Sequence, residues 1–246
     1  MTRGQSHIDD LPVRDGFRLR GLEMTRIETF TDAAFAFALT LLVVSLDIPA
    51  SYGDLMIALK GIPAFALSAL LLMVFWSGHN TWSRRYGLDD GLTVVLSCLL
   101  VFTVLVYVYP LKFLFRSLIA VFGAWLGFAV DFDTFEITRA AQVNHLFVIY
   151  GLGFVTMCAA IILLNLHAWH LRESLQLNEL ERYVTKAEIG AWLVLAGAGL
   201  LSIVLALTTP ISWGGLPGWA YSLLAVVMPV YGTLTGRRAK AISLSS

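Results

Sequence analysis

Charge is scarce in this chain. Only 14% of its 246 residues are Asp, Glu, Lys or Arg, against about a quarter in an ordinary soluble domain. Apolar side chains make up 58% of the total, and mean hydropathy is +0.76. That composition excludes a soluble globular domain and places the chain in a lipid bilayer. An excess of one sign is missing too: 17 Lys and Arg balance 17 Asp and Glu, so no net charge draws the chain to nucleic acid. Cysteine is nearly absent. Cys98 and Cys158 each sit inside an apolar run, which argues against a disulfide framework or a cysteine metal site and leaves packing as their role. No apolar run opens the chain. Met1 to Glu23 is polar and mixed in sign, unlike a secretory signal, and reads as a short, partly disordered cytosolic arm. No internal duplication is visible, which counts against the paired broken helices of a secondary transporter.

What is present is a series of six apolar segments long enough to span, roughly 26–46, 55–76, 92–113, 146–169, 189–207 and 219–235. The expected fold is therefore all-α, a polytopic membrane protein with six transmembrane helices. Lys60 and Pro63 fall near the outer end of the second, where Lys60 can snorkel. Tyr109-Pro110 predicts a kink or end of the third helix, and Pro229 a kink in the last. Ser117 to Val130 is apolar but short of a span, and its Phe122, Trp125 and Phe128 suit an interfacial or re-entrant helix; as a seventh span it would put the two ends on opposite sides. Gly123 and Gly127 form a weak helix-packing motif there. With the N-terminus inside, most Lys and Arg, among them Arg84, Arg85, Arg172, Arg182, Lys186, Arg237, Arg238 and Lys240, lie on the cytosolic side. The chain then divides into an arm 1–25, a membrane domain 26–236 and a tail 237–246, in the cell membrane with both ends cytoplasmic. Asp131, Asp133 and Glu136 make the outer segment between the third and fourth spans mildly acidic.

The first span carries unusual polarity. Arg26, Thr31, Asp32 and Thr40 interrupt RIETFTDAAFAFALTLLVV, and an ionisable group near a bilayer core is kept when something pairs with it. The end of the second span reads Phe75-Trp76-Ser77-Gly78-His79-Asn80. Trp76, His79 and Asn80 share a helix face, and His79 lies about as deep from Arg84 as Asp32 does from Arg26. A network of Arg26, Thr31, Asp32, His79 and Asn80 would satisfy groups that lipid cannot. Further along the first helix Phe37, Leu41 and Val44 fall at i, i+4 and i+7, one stripe with Thr40 beside it; helix packing is the ordinary reading of such a stripe. His167 and His170 are spaced like metal ligands, but no acidic or Cys partner is evident at matching depth, which favours interfacial packing.

Arg26-x-x-x-Phe30-Thr31-Asp32, followed by Thr40-Leu41-Leu42, resembles the Arg-x-x-x-Phe-Ser-Asp signature of the transmembrane protein 175 family of potassium channels. Trp76-x-x-His79 is similar to the family's second-helix ending, and Asn144 to Trp169, with Tyr150-Gly151-Leu152, to its fourth helix. Two departures stand out: Thr31 replaces the signature Ser but keeps a hydroxyl, and Phe37 stands where Ile or Leu is usual. The resemblance implies a homotetramer around a central pore lined by the first helix, permeable to potassium over sodium as a leak, with proton permeation open. By position it assigns Phe37, Leu41 and Val44 to apolar constriction rings and Thr40 to a polar layer. The chain has no Thr-Val-Gly-Tyr-Gly loop, so a carbonyl filter is not expected; a dry constriction would gate by dewetting instead. The implied partners are potassium ions and the lipid bilayer, with no cofactor, metal or nucleic acid. The alternatives are a secondary transporter of a small solute and a membrane-embedded enzyme. For an enzyme, His79, Asp32 and Glu188 are acid-base candidates without a nucleophile-base motif or metal-ligand set.

Overall fold

Asp15-Gly16 sets the first element. Both residues have positive φ, 53° and 76°, the geometry of a tight primed hairpin turn that Asp-Gly adopts readily. The turn joins β1 (Val13–Arg14) to β2 (Phe17–Arg18), antiparallel, with Val13 opposite Arg18 and Arg14 opposite Phe17. In this computed structural model the described residues are 10–44, 50–125, 140–210 and 215–245. The helices follow in order: α1 (Arg26–Val44), α2 (Tyr52–Lys60), α3 (Ile62–Tyr86), α4 (Gly91–Trp125), α5 (Ala140–His170), α6 (Glu179–Thr208), α7 (Leu216–Ser222) and α8 (Leu224–Ser245).

The chain is mostly helical, as its composition requires. Among the described residues, α3, α4, α5 and α6 contain stretches long and apolar enough to cross a membrane. The core forms where their buried faces meet α1: Phe35, Ala38 and Leu42 of α1 pack with Leu72 and Phe75 of α3, Leu100 and Val104 of α4, and Met157 and Ile161 of α5. The α5–α6 contact is the most extensive between any two elements. Glycine makes it possible. A Cβ on Gly151 would collide with the Ile203 side chain, and one on Gly199 would come within 2.8 Å of Val155; small residues let helix backbones approach this closely.

Several boundaries differ from the sequence expectation. The second apolar segment is two helices, divided at Gly61. Ser51 and Asp54 cap each other's backbone at the start of α2, Lys60 ends it, and Pro63 sits in the first turn of α3, where its missing N–H costs nothing. α3 then runs on past Trp76 to Tyr86 and stops at Gly87, a left-handed cap with φ 61°. Pro110 does not end the third helix: α4 continues through it for 35 residues, about 52 Å at 1.5 Å per residue. Neighbouring helices and local adjustment re-satisfy the one backbone bond a proline removes. Ser117 to Trp125 is therefore the end of α4 rather than a separate interfacial helix, while 126–130 lie outside the described residues, as does the acidic segment 131–136. The last apolar segment is also two helices, α7 and α8. Pro229 lies inside α8, which extends through the expected tail to Ser245.

The N-terminal arm differs most. Residues 10–25, expected to be partly disordered, fold onto the bundle. Phe17 is 1% exposed and joins Trp82 and Tyr86 of α3, Leu96 of α4, and Leu164 and Ala168 of α5 in a second apolar cluster. Its ring meets Tyr86 edge-on at 5.6 Å.

Candidate functional site

α1 starts at Thr25, whose hydroxyl accepts the Glu28 N–H at 3.2 Å. Thr-x-x-Glu is the opening pattern of a capping box, but the Glu28 carboxylate has another use. It is 1% exposed and lies 3.2 Å from Arg84 Nε; with no aligned hydrogen bond at that oxygen, the contact is an ion pair. Arg84 Nη1 also donates to the Gly21 carbonyl at 3.1 Å. The first turn of α1 is thus tied to the end of α3 and to the strand leading into it.

Along α1 one face is buried: Glu28, Thr31, Phe35, Ala38 and Leu42, spaced at intervals of three and four as helix packing demands. The opposite face has no cover from the described residues of its own chain. Phe30, Ala33, Ala36, Phe37, Thr40 and Val43 are all exposed, Phe37 at 57%. The predicted stripe is therefore divided. Phe37 and Thr40 lie on the open face, Leu41 is half-buried against the core, and the Val44 side chain lies outside the described residues. The Thr40 hydroxyl donates to the Ala36 carbonyl at 2.9 Å, which leaves its oxygen lone pairs for whatever faces the helix.

The predicted polar network is brought together only in part. Trp76 Nε1 donates to Asp32 Oδ1 at 2.8 Å, joining α3 to α1. His79 is buried and turned toward α4, its Nε2 3.0 Å from Ser97 Oγ. Thr31 donates to the Ile27 carbonyl of its own helix at 2.8 Å. Arg26 and Phe30 are exposed and Asn80 is half-buried; the side chains of Arg26 and Asn80 do not join this network among the described residues. Glu28, Arg84 and Ser97 are the participants that sequence reasoning missed. The Thr25-x-x-Glu28 pattern was available as a signal for the first; nothing in sequence spacing marks the Arg84 or Ser97 pairing.

A second ionic centre anchors the hairpin. Glu181, at 0% exposure, accepts from Arg18 Nη2 at 3.1 Å and Arg20 Nη2 at 2.9 Å. Its Oε1 takes the Arg18 N–H at 2.9 Å and Nε at 3.1 Å. Asn178 and Glu181 also form the reciprocal capping box that opens α6. The hairpin continues onto α3, where the Arg20 and Gly21 N–H groups meet the Arg85 and Arg84 carbonyls.

His167 has the acidic partner the sequence did not reveal: its Nε2 lies 2.6 Å from Asp90 Oδ2. Burial by itself would raise the Asp90 carboxyl, but the Thr93 N–H and the His167 imidazole outweigh it and hold the group below the usual range. His170 instead donates to the Leu166 carbonyl at 2.7 Å. Among the described residues no three His, Cys, Asp or Glu converge as metal ligands. Glu188 pairs with Arg85 at 3.2 Å.

Comparison with known proteins identifies the class of chain this is. The family described as endosomal/lysosomal potassium channel TMEM175 matches residues 26–108, the stretch holding α1, α3 and the first half of α4. A protein of Marivirga tractuosa named as a potassium channel is 37% identical over 232 residues, covering 92% of this chain and 93% of its own. The crystal structure of a variant of the potassium channel MtTMEM175, in complex with a nanobody-MBP fusion protein, superposes with a TM-score of 0.81 at 36% identity, over 92% of this chain and all of that one. A TMEM175 homologue from Chamaesiphon minutus, at 19% identity and TM-score 0.55, shares the fold over 85% of this chain. Identity of that extent over nearly the whole length shows that the chain belongs to the TMEM175 family of potassium channels.

Proposed function

We propose that this chain is the subunit of a homotetrameric potassium-permeable leak channel, potassium preferred over sodium, with α1 of each subunit around the central axis. The observation that carries the reading is the open face of α1, which from Phe30 to Val43 is apolar and interrupted by one hydroxyl, on a helix whose other face is fixed in the core. Four such faces would enclose a narrow dry passage with Phe37 as a bulky ring. Thr40 would form a ring of oxygen acceptors, since its proton is committed to Ala36. A constriction of this kind selects by bore and by local dipoles. Leu41 and Val44 continue the same line, Leu41 from its half-buried edge.

The signature residues then have a supporting role. Glu28–Arg84 and Asp32–Trp76 hold the lower half of α1 against α3, so that Phe37 and Thr40 keep their bearing toward the axis. In this reading α1 and α8 add two spans to the four long apolar helices, with residues 1–25 and 237–246 on the cytoplasmic side of the cell membrane. Reporter fusions at Met1 and Ser246 should both report the cytosol.

The experiment is flux through purified protein in vesicles under matched potassium and sodium gradients, together with the symmetry of the purified particle. A channel passes potential-driven potassium without a coupled substrate, and the particle is four-fold. Saturating flux that requires a second solute, or a particle without four-fold symmetry, would overturn the proposal. The same vesicles loaded with a pH dye report proton permeation.

A further inference from the structure

α8 touches the bundle chiefly through α6, and the two helices leave an open groove between them of about 260 Å³. Val184, Ala187, Ala191 and Met228 give it apolar walls, and Gly232 and Gly236 keep the α8 side low. Its polar atoms are already matched. Tyr231 donates its hydroxyl to the Ala187 carbonyl at 2.9 Å, and Tyr183 donates to the Thr235 carbonyl at 3.4 Å. Glu188 is answered by Arg85 at 3.2 Å and takes the Trp192 indole N–H at 3.3 Å. What the groove offers an occupant is ring faces, methyl groups and glycine backbone.

One end of this apolar groove is basic. The Arg238 guanidinium lies 5.7 Å over the ring of Tyr183, itself part of the wall, and Arg237 and Lys240 are exposed on the same turns of α8. A groove of that size accommodates a stretch of hydrocarbon chain lying along the two helices. An apolar slot that ends in cations matches an acyl chain that ends in an anion, and basic groups beside a bilayer recognise anionic lipid.

We propose that the α6–α8 groove binds an anionic phospholipid, with one acyl chain between Val184 and Met228 and the phosphate held at Arg238. The proposed orientation of the chain would make this a lipid of the cytoplasmic leaflet, but the binding itself does not depend on that orientation or on the channel reading.

The groove can be filled without disturbing what surrounds it. A Cβ built on Gly236 or on Gly232 meets nothing within 4 Å, and leucine is a better helix former than glycine. Full-length wild type, Gly236→Leu and Arg238→Gln are therefore compared in neutral detergent with dioleoylphosphatidylglycerol and dioleoylphosphatidylcholine as probes. Bound lipid is counted by native mass spectrometry, and melting temperature is followed on the same samples. The wild type should retain the anionic lipid in preference to the zwitterionic one and melt higher with it. Arg238→Gln should weaken the anionic lipid by about fivefold, the factor expected of one basic group at an anionic surface, and leave the zwitterionic lipid unchanged. Gly236→Leu should lose both while keeping the lipid-free melting temperature and particle size. Gly232→Leu repeats the test one turn away if Gly236→Leu does not assemble. Equal retention of the two lipids by the wild type, or undiminished retention by either groove-filling variant, overturns the proposal. So does a groove-filling variant that changes the oligomer while lipid retention stays the same, since a neighbouring subunit would then be the occupant.

Discussion

The two faces of α1 make opposite predictions for substitutions only a few residues apart. Leu42 is 0% exposed and Phe37 is 57% exposed. Leu42→Ala opens a cavity in the core, which costs about 2–5 kcal/mol, or roughly 5–15 °C in melting temperature for a chain of this length. Phe37→Ala removes less than half of a phenylalanine's burial within the subunit, about 1 kcal/mol at most. The ranking by conduction should be reversed. In the proposed tetramer, removing four phenyl groups from a dry constriction would wet it, so Phe37→Ala should raise potassium flux and weaken the preference over sodium, whereas whatever Leu42→Ala does to flux should follow its loss of folded protein. Thr40→Ala, which deletes a ring of acceptors without enlarging the bore much, should act on the potassium-to-sodium ratio more than on total flux. The assay is vesicle flux with both ions, normalised to assembled particles by size-exclusion, beside thermal unfolding of the same preparations. The reasoning fails if Phe37→Ala assembles normally and leaves both flux and ratio at wild-type values. The open face would then be a lipid or packing surface.

Three further tests concern polar contacts that tie the helices and the N-terminal hairpin together. Glu181→Ala leaves Arg18 and Arg20 without their buried partner and should cost about 3–5 kcal/mol, while Glu179→Ala, exposed in the same turn, should cost under about 1; similar melting of the two variants would remove the ionic anchor from the account. Asp90→Asn should keep the cap on Thr93, because Asn caps as well as Asp, and lose only the charge toward His167. The Asp90 carboxyl is held below its ordinary value, so its contribution is complete above the unfolded carboxylate range and disappears as pH falls through its depressed folded value. The side chain is 44% exposed, so the wild-type-minus-Asn difference should stay below about 1 kcal/mol and be lost in strong acid; a difference that persists in strong acid contradicts the sign. Trp76→Phe and Asp32→Ala remove the two ends of one hydrogen bond, so the double variant should lose less than the sum of the singles; additivity within about 0.3–0.5 kcal/mol would show the groups to be independent.

The family and the helical class were legible because they rest on local sequence. The apolar runs, the Arg26-to-Asp32 signature and the Trp76-x-x-His79 ending need no tertiary information. Local signals also existed for features that were not read: Asp15-Gly16 for the hairpin, Ser51-x-x-Asp54 and Asn178-x-x-Glu181 for two helix starts, Gly61-Ile62-Pro63 for a break. Of the kink or end expected at Pro110, the end does not occur, since a proline removes one backbone bond and a packed membrane helix can continue through it. What sequence could not supply is pairing across distance. Equal depth suggested His79 for Asp32, but depth does not fix rotation about a helix axis. The ring of Trp76 reaches Asp32 while His79, three residues on, turns to Ser97. Arg18 and Glu181 lie 163 positions apart, and no periodicity connects them.

Those long-range pairings bear on how the open face of α1 is held. An isolated helix can rotate, and rotation by one position carries Phe37 off an axis and brings Ala38 toward it. Burial of Phe35, Ala38 and Leu42 opposes such a rotation, and specific polar contacts add to that resistance. α1 has two on its N-terminal half, Glu28–Arg84 and Asp32–Trp76, and both lead to α3. Arg84 at the end of α3 also donates to the Gly21 carbonyl, and Gly21 follows the hairpin that Arg18 and Arg20 fasten to Glu181. The strand entering α1, the helix beside it and the start of α6 therefore form one hydrogen-bonded unit. Beyond Asp32 the helix packs on the core through Phe35, Ala38, Leu39, Leu41 and Leu42. Glu28–Arg84 and Asp32–Trp76 therefore help to set the bearing of the open face from the N-terminal end of α1.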